Sequence, residues 1–300
     1  MNFSVVIPTY NREKDLSEII DSILSQSLLP SEFLIVDDGT LPQIFIERTK
    51  TNFQRKGIRF IYYKKDHTKE NRGSSESRNI SLELITRKIL FILDDDLILS
   101  QDFFKAIMEV WEENIQEKKL IGVGGVITNN RRKNLIEKFF NKAFGLTSKF
   151  AWDINNIGFQ VWDEGIIKKE KGYYAHGGVC SYKKSLIKKI GNFSVFSGGR
   201  TALEDVDFCL RAKNQGYHFI IEPKAKVIHK QSKVNRENNF LMGIKEGYNR
   251  RVIFKKNSQK NIKNYIWFYW SNIGWTLRQF LVGHFSKGTG IMKGMFIRIK

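Results

Sequence analysis

Three adjacent carboxylates, Asp94-Asp95-Asp96, follow the apolar run Ile89-Leu90-Phe91-Ile92-Leu93 and precede Leu97-Ile98-Leu99. Acidic groups crowded into apolar sequence repel one another and lose hydration, a cost that a bound cation offsets. A hard divalent ion, Mg²⁺ or Mn²⁺, suits them, because it takes a few protein oxygens and completes its shell with substrate phosphates. In an extended chain alternate side chains face one way, so Asp94 and Asp96 can reach a single ligand. The competing reading is an acidic turn with solvated carboxylates, for which apolar flanks on both sides are poor company.

Two further acidic clusters stand at expected element ends. Asp37-Asp38-Gly39 follows Phe33–Val36; one carboxylate can accept hydrogen bonds from a nucleobase or ribose, and the competing reading is a turn with Gly39 at positive φ. Glu204-Asp205-x-Asp207 opens a helix. Thr201 as N-cap and Glu204 as its partner fit a capping box, which leaves Asp205 unexplained. A carboxylate there, beside a Gly-rich loop, could serve as general base toward a hydroxyl. His229 closes Val227-Ile228-His229 and would suit a metal through a neutral ring nitrogen, although a lone histidine is more often structural. His176, before Gly177-Gly178, is a candidate for the acceptor side, whereas nothing argues for His67, His218 or His284.

These residues need a scaffold that gathers strand ends. Phe3–Ile7, Phe33–Val36, Ile58–Tyr63 and Ile89–Leu93 read as strands, and Glu13–Ser25, Pro42–Gln54 and Ser74–Thr86 carry helical spacing. A helix at Gln101–Asn114 and a strand at Leu120–Thr128 extend the pattern. Strands alternating with helices imply right-handed crossovers and a mostly parallel sheet covered on both faces. Residues 129–175 look less regular. A helix at Tyr182–Ile190, a Gly/Ser-rich loop at Phe193–Arg200, a helix at Glu204–Asn214 and strands at Tyr217–Glu222 and Ala225–His229 complete the body. Ligands of such open sheets bind beyond the C-terminal strand ends. No strand is followed by a dinucleotide fingerprint or a Walker loop.

The 300 residues hold 50 Lys and Arg against 31 Asp and Glu, a formal charge of +19. Of that, +15 lies between Lys224 and Lys300, so a nearly neutral body carries a strongly basic end. Ordinary apolar content excludes a disordered chain, and Cys180 and Cys209 read as buried free thiols. The first residues lack the basic and apolar regions of a signal peptide, which leads to the expectation of a cytoplasmic protein.

Taken together, the motifs resemble glycosyltransferase family 2, an inverting group with the GT-A fold. Val5-Val6-Ile7-Pro8-Thr9-Tyr10-Asn11-Arg12 resembles the family's opening strand and nucleotide loop, and Val36-Asp37-Asp38-Gly39 its second signature. Asn71-Arg72-Gly73 through Ser77-Arg78-Asn79 resembles the helix before the metal strand, and Asp94-Asp95-Asp96 the Asp-x-Asp site. Leu203 to Phe208, followed by Arg211, resembles the acceptor-side Glu-Asp motif. The resemblance implies a nucleotide-sugar site built by Pro8, Thr9, Tyr10, Arg12, Asp38, Arg78 and Asp95, with Asp94 near the ribose or sugar. It implies a metal on Asp96, Asp94 and His229, Asp205 as the base, and Glu204 beside it as cap or orienting group. The chain departs from the family at Gly191-Asn192-Phe193-Ser194-Val195, where an acidic residue is common, and at Lys183-Lys184, where Arg is common.

The expected function is metal-dependent transfer of a sugar from a nucleotide sugar, a UDP-sugar being favoured, to a saccharide or lipid-linked acceptor in polysaccharide or glycolipid synthesis. A non-catalytic or nucleic-acid-binding protein on this fold is one rival, and acidic strand ends that repel phosphodiester argue against it. A nucleotidyltransferase is another, but Pro8–Arg12 contains no glycine for a triphosphate loop. The catalytic part is expected over residues 1–229 and a basic aromatic helical extension over 230–300. Within Tyr265–Phe285, Ile266, Trp270, Ile273, Leu277, Phe280, Leu281 and Phe285 recur at helical spacing among flanking lysines. That describes an in-plane helix on an anionic cytoplasmic membrane face. Packing on the body or on a second subunit is the competing reading, and assembly into an oligomer stays open.

Overall fold

The computed structural model describes residues 1–131, 133–163, 165–196 and 202–298. The first half alternates as the apolar pattern requires: β1 (Phe3–Thr9), α1 (Glu13–Leu24), β2 (Glu32–Asp37), α2 (Gln43–Arg55), β3 (Arg59–Lys64), α3 (Ser74–Leu84), β4 (Ile89–Leu93), β5 (Leu97–Leu99), α4 (Phe103–Glu113) and β6 (Leu120–Ile127). There follow α5 (Leu135–Ala143), β7 (Asp153–Ile154), β8 (Gln160–Val161), β9 (Glu170–Gly172), β10 (Val179–Lys183), α6 (Lys184–Ile190), α7 (Glu204–Asn214) and β11 (His218–His229). Three helices end the chain: α8 (Asn239–Asn257), α9 (Ile262–Leu281) and α10 (Phe285–Phe296).

The main sheet runs β3-β2-β1-β4-β10-β6-β11-β5, with β9 added against β11. Strands β1 to β4, β6 and β11 point one way, and β5, β9 and β10 the other. Every residue of β2 and β4 is buried, as parallel strands covered on both faces must be. Alternation along β1 divides the core: Val5 and Ile7 pack with α1, α2 and α4, while Val6 packs with α3, α6 and α7. Each such side chain contributes about 1.5–3 kcal/mol by leaving water. Cys180 and Cys209 are buried free thiols, as expected. This is the anticipated α/β fold, a mostly parallel sheet between helical layers.

Three local expectations need correction. The helix expected from Tyr182 begins only at Lys184, because Val179–Lys183 is a strand inserted antiparallel between β4 and β6. The two strands expected after Tyr217 are one strand, β11, whose register shifts between Ile221 and Lys226, where Pro223 has no N–H to offer. The region 129–175 contains α5, entered through a complete capping box between Asn134 and Glu137. Of the loop expected at Phe193–Arg200, residues 197–200 lie outside the described residues, as do Thr201 and Lys300 of the other expectations.

The basic end is joined to the body. Val252 and Ile253 of α8 enter the same core as Val206 and Leu210 of α7. Helices α8 and α10 touch backbone to backbone through glycines: a Cβ on Gly247 would stand 2.3 Å from the Ile291 carbonyl, and one on Gly290 2.2 Å from the Phe240 carbonyl. Helix α9 is turned inside out. Apart from Phe268, its buried positions are Ser271, Asn272, Gly274, Thr276 and Gln279, whereas Ile266, Trp270, Ile273, Leu277 and Leu281 face outward. No helix among the described residues is long and apolar enough to cross a membrane.

Candidate active site

The C-terminal ends of β1, β2 and β4 open onto a cleft of about 460 Å³, with Pro8, Thr9, Tyr10, Asp38 and Asp94 among its lining residues. Parallel pairing sets Thr9 level with Asp37. The Asp37 carboxylate turns into the loop and accepts from the Gly39 and Leu41 amides at 2.7 and 3.0 Å. Gly39 is required here by close approach rather than by the positive φ expected of it: a Cβ would stand 2.1 Å from Asn11 Oδ1. Asp38 faces the cleft, fixed by the Gly73 amide at 2.8 Å and by the buried Lys65 ammonium at 2.8 Å.

The three consecutive aspartates take different surroundings. Asp95 points inward, accepting from the Thr9 hydroxyl and from Arg12 Nη1, each at 2.8 Å. Burial holds its pKa up at about 6, against the pull of Arg12. Asp96 is also buried, with Oδ1 3.0 Å from His229 Nε2 and Oδ2 accepting from the Ser232 amide at 2.9 Å. Burial would raise its pKa, but His229 and the Ser232 amide outweigh that and lower it. Asp94 keeps 41% of its side chain in solvent, and a Cβ on Gly178 would collide with its carboxylate. One donor atom each from Asp94, Asp96 and His229 lie within 4.8 Å of one another. Two carboxylate oxygens and an imidazole nitrogen fit a divalent ion such as Mn²⁺ or Mg²⁺, with the exposed side of Asp94 leaving room for substrate oxygens.

Arg78 of α3 links this corner to the other acidic cluster. Its Nη1 lies 3.0 Å from Glu204 Oε1 and its Nη2 3.8 Å from Asp94 Oδ1. Helix α7 starts at Glu204 itself with Leu203 as its N-cap, and the Glu204 carboxylate accepts from Ser74 at 2.8 Å. Asp205 lies beside Gly177, where it accepts from the Tyr174 hydroxyl at 3.2 Å. His176 stands in an aromatic group, with Trp152, Trp162 and Tyr174 ring centres 5.3, 5.4 and 5.5 Å away. Asp207 is structural, accepting from Ser194, Arg211 and Asn257.

One wall of the cleft escaped the sequence reading. Residues 230–237 fold back over it: Arg12 Nε donates to the Val234 carbonyl at 3.0 Å, Asn235 donates to the Asn11 carbonyl at 2.7 Å, and Arg236 reaches within 3.7 Å of Asp96. Lys245 of α8 also lines it. The available signal was the run of basic residues directly after His229, next to an acidic strand end.

Comparison with known proteins agrees with this geometry. A family model described as "Glycosyl transferase family 2" matches residues 4–190. The glucosyl-dolichyl phosphate glucuronosyltransferase of Haloferax volcanii is 25% identical over 262 residues, covering 84% of this chain and 77% of that one. The poly(ribitol-phosphate) β-N-acetylglucosaminyltransferase TarS of Staphylococcus aureus is 25% identical over 178 residues, 58% of this chain and 30% of TarS. Among solved structures, the Pyrobaculum calidifontis mannosyltransferase PcManGT with GDP-Man and Mn²⁺ superposes with a TM-score of 0.59 at 15% identity, covering 98% of this chain and 79% of that one. TarS 1–349 with UDP-GlcNAc gives 0.57 at 15% identity, covering 100% and 77%. These likenesses establish the GT-A fold, and with the family match over most of its length the chain belongs to glycosyltransferase family 2.

Proposed function

We propose that this glycosyltransferase moves a sugar, with inversion, from a nucleoside diphosphate sugar, a UDP-sugar by preference, to a hydroxyl of a saccharide or lipid-linked acceptor. The observation that carries it is the convergence of Asp94, Asp96 and His229 donor atoms within 4.8 Å at the floor of a cleft bordered by Asp38. Pro8, Thr9, Tyr10 and Asp38 border the nucleoside. Arg12 and Asp95 hold the loop that carries them, each neutralising the other. Asp94, the most exposed of the three aspartates, stands on the ribose and sugar side, and Arg78 fixes it relative to Glu204.

Asp205 takes the proton of the acceptor hydroxyl as its oxygen attacks the anomeric carbon from the face opposite the diphosphate. The electron pair of the breaking bond leaves with the diphosphate. A divalent ion held by Asp94, Asp96 and His229 would neutralise the charge growing there. Glu204 orients this corner through Arg78 and Ser74. Residues 1–229 form the catalytic unit in this reading, and 230–300 form an extension that closes one wall of the cleft and seats the enzyme on an anionic membrane surface on the cytoplasmic side. The name of the Haloferax relative, with its lipid-linked glucosyl acceptor, supports that orientation.

A thermal-shift panel of nucleotide sugars with Mn²⁺ tests the donor. A ligand at 100 times its dissociation constant adds about 2.7 kcal/mol. A UDP-sugar should raise the melting temperature only with metal present, and indifference to every nucleotide sugar would overturn the reading.

A further inference from the structure

Helix α5 has the character of an element made for an apolar surround. Leu135, Ile136 and Phe139 are 83%, 79% and 76% exposed, and the only buried residue of the helix is Asn141. It lies antiparallel along the second half of α9. Arg278 approaches Glu137 at 3.6 Å, Trp270 Nε1 donates to the Ala143 carbonyl at 2.9 Å, and Ser271 donates to the Phe144 carbonyl at 2.7 Å. Phe144 stacks on Trp270 with centroids 4.9 Å apart and sits over Gly274. Apart from Phe268, the buried residues of the two helices are thus polar or small, while most of their aliphatic and aromatic groups face outward. A helix in water does the opposite.

Charge identifies what covers this surface. Between Asn129 and Phe150 the single carboxylate is Glu137, and between Asn239 and Arg298 it is Glu246. Glu137 is paired with Arg131 at 2.7 Å and Glu246 with Lys287 at 3.0 Å. Exposed Lys138, Lys142, Lys260 and Lys263 rim the apolar crest. A second copy would bring the same cations against these, whereas an anionic bilayer meets a cationic rim with opposite charge and the crest with acyl chains. Tryptophan and tyrosine on α9 suit the boundary between the two.

Granting the membrane-seated extension proposed for this chain, we infer that α5 is a second, independent docking element. Leu135, Ile136 and Phe139 enter the interfacial zone of an anionic bilayer beside the outward face of α9. The enzyme is then held by one helix from the middle of its sequence and one from its basic end, which fixes its orientation as a single helix could not. Helix α5 begins just beyond Lys133, whose ammonium lies 5.0 Å from the Trp162 ring centre in the aromatic group around His176. The bilayer contact thus adjoins the aromatic group around His176, the expected acceptor side.

Flotation of the full chain with vesicles of phosphatidylcholine and anionic phosphatidylglycerol tests this, since a polybasic surface is drawn to anionic lipid. The variants are L135S/I136S/F139S on α5 and I266S/I273S on α9, with retained melting temperatures as the folding control. Each variant should lower partitioning about tenfold or more, since apolar area and charge act together. A fluorophore on F139C, labelled selectively because Cys180 and Cys209 are buried, should shift to the blue on vesicles. If the α5 variant floats like the parent while the α9 variant does not, the α5 inference fails and the membrane reading of the extension stands. If the parent does not float, both fail. If the parent instead forms dimers in sedimentation that the α5 variant abolishes, the face is a protein interface and the inference is overturned.

Discussion

His229 Nε2 stands 3.0 Å from Asp96 Oδ1 because β11 and β5 pair antiparallel, which sets His229 opposite Leu97, the residue next to Asp96. A ladder at the sheet edge thus brings the last strand of the body onto the carboxylates at the end of β4. The Asp96 carboxylate is held a second time by the Ser232 amide, so it is oriented before any ligand arrives.

Asp96→Asn should therefore leave the fold intact and remove the melting-temperature rise that Mn²⁺ produces in the parent. Metal-dependent transfer should fall by about 100-fold or more, and His229→Ala should cost about 10–100-fold. Wild-type turnover of Asp96→Asn in Mn²⁺ would refute the assignment.

Glu204 and Asp205 are adjacent, yet their substitutions should separate. Glu204→Gln leaves the buried Arg78 guanidinium without its 3.0 Å partner, and breaking a buried pair costs about 3–5 kcal/mol of stability. Asp205→Asn should keep stability and donor affinity while kcat falls about 10²–10⁴-fold. Denaturant melts and single-turnover rates on both variants decide. Equal activity losses with equal stability would remove the division of roles.

Gly178→Ala probes the seat of Asp94, because the added methyl would lie 2.1 Å from the carboxylate. Asp94 must then leave its place, and the apparent affinity for Mn²⁺ should drop about tenfold or more. An unchanged metal titration would mean that Asp94 does not contribute.

Much of this site was legible in the strand ends. Asp38, Asp94 and Asp96 stand out because carboxylates after apolar strands need a reason to be there, and His229 because it closes one. The rest depends on long-range pairing. Val179–Lys183 is short and follows two glycines, and only its place between β4 and β6 makes it a strand. The same holds for Glu204, whose local pattern fits a cap but whose carboxylate is taken by Ser74 and Arg78 from another helix. The wall formed by residues 230–237 has no local signature, since its contacts with Arg12, Asn11 and Asp96 are tertiary.

Glu32 gives a pH test of the sheet. It is fully buried, and although burial opposes its ionisation, hydrogen bonds from Thr86, Ser4 and Arg59 hold its pKa down at about 2. A depressed carboxylate stabilises the fold above its unfolded pKa, and that stability is lost as pH falls through the folded value. Resistance to urea should therefore weaken between about pH 4.5 and pH 2, by no more than about 3 kcal/mol once solvent screening around exposed Arg59 is counted. Glu32→Gln should flatten this part of the profile. Equal slopes for parent and variant would assign acid sensitivity elsewhere.

The most direct test of the central claim is the identity of the product that parent enzyme releases from UDP-sugars, with Mn²⁺ and with EDTA, beside Asp96→Asn. A metal-dependent glycosyltransferase should release UDP slowly with Mn²⁺ even without acceptor, release almost none in EDTA, and lose the activity in Asp96→Asn. Pyrophosphate as the product, or UDP release unaffected by EDTA and by Asp96→Asn, would contradict it.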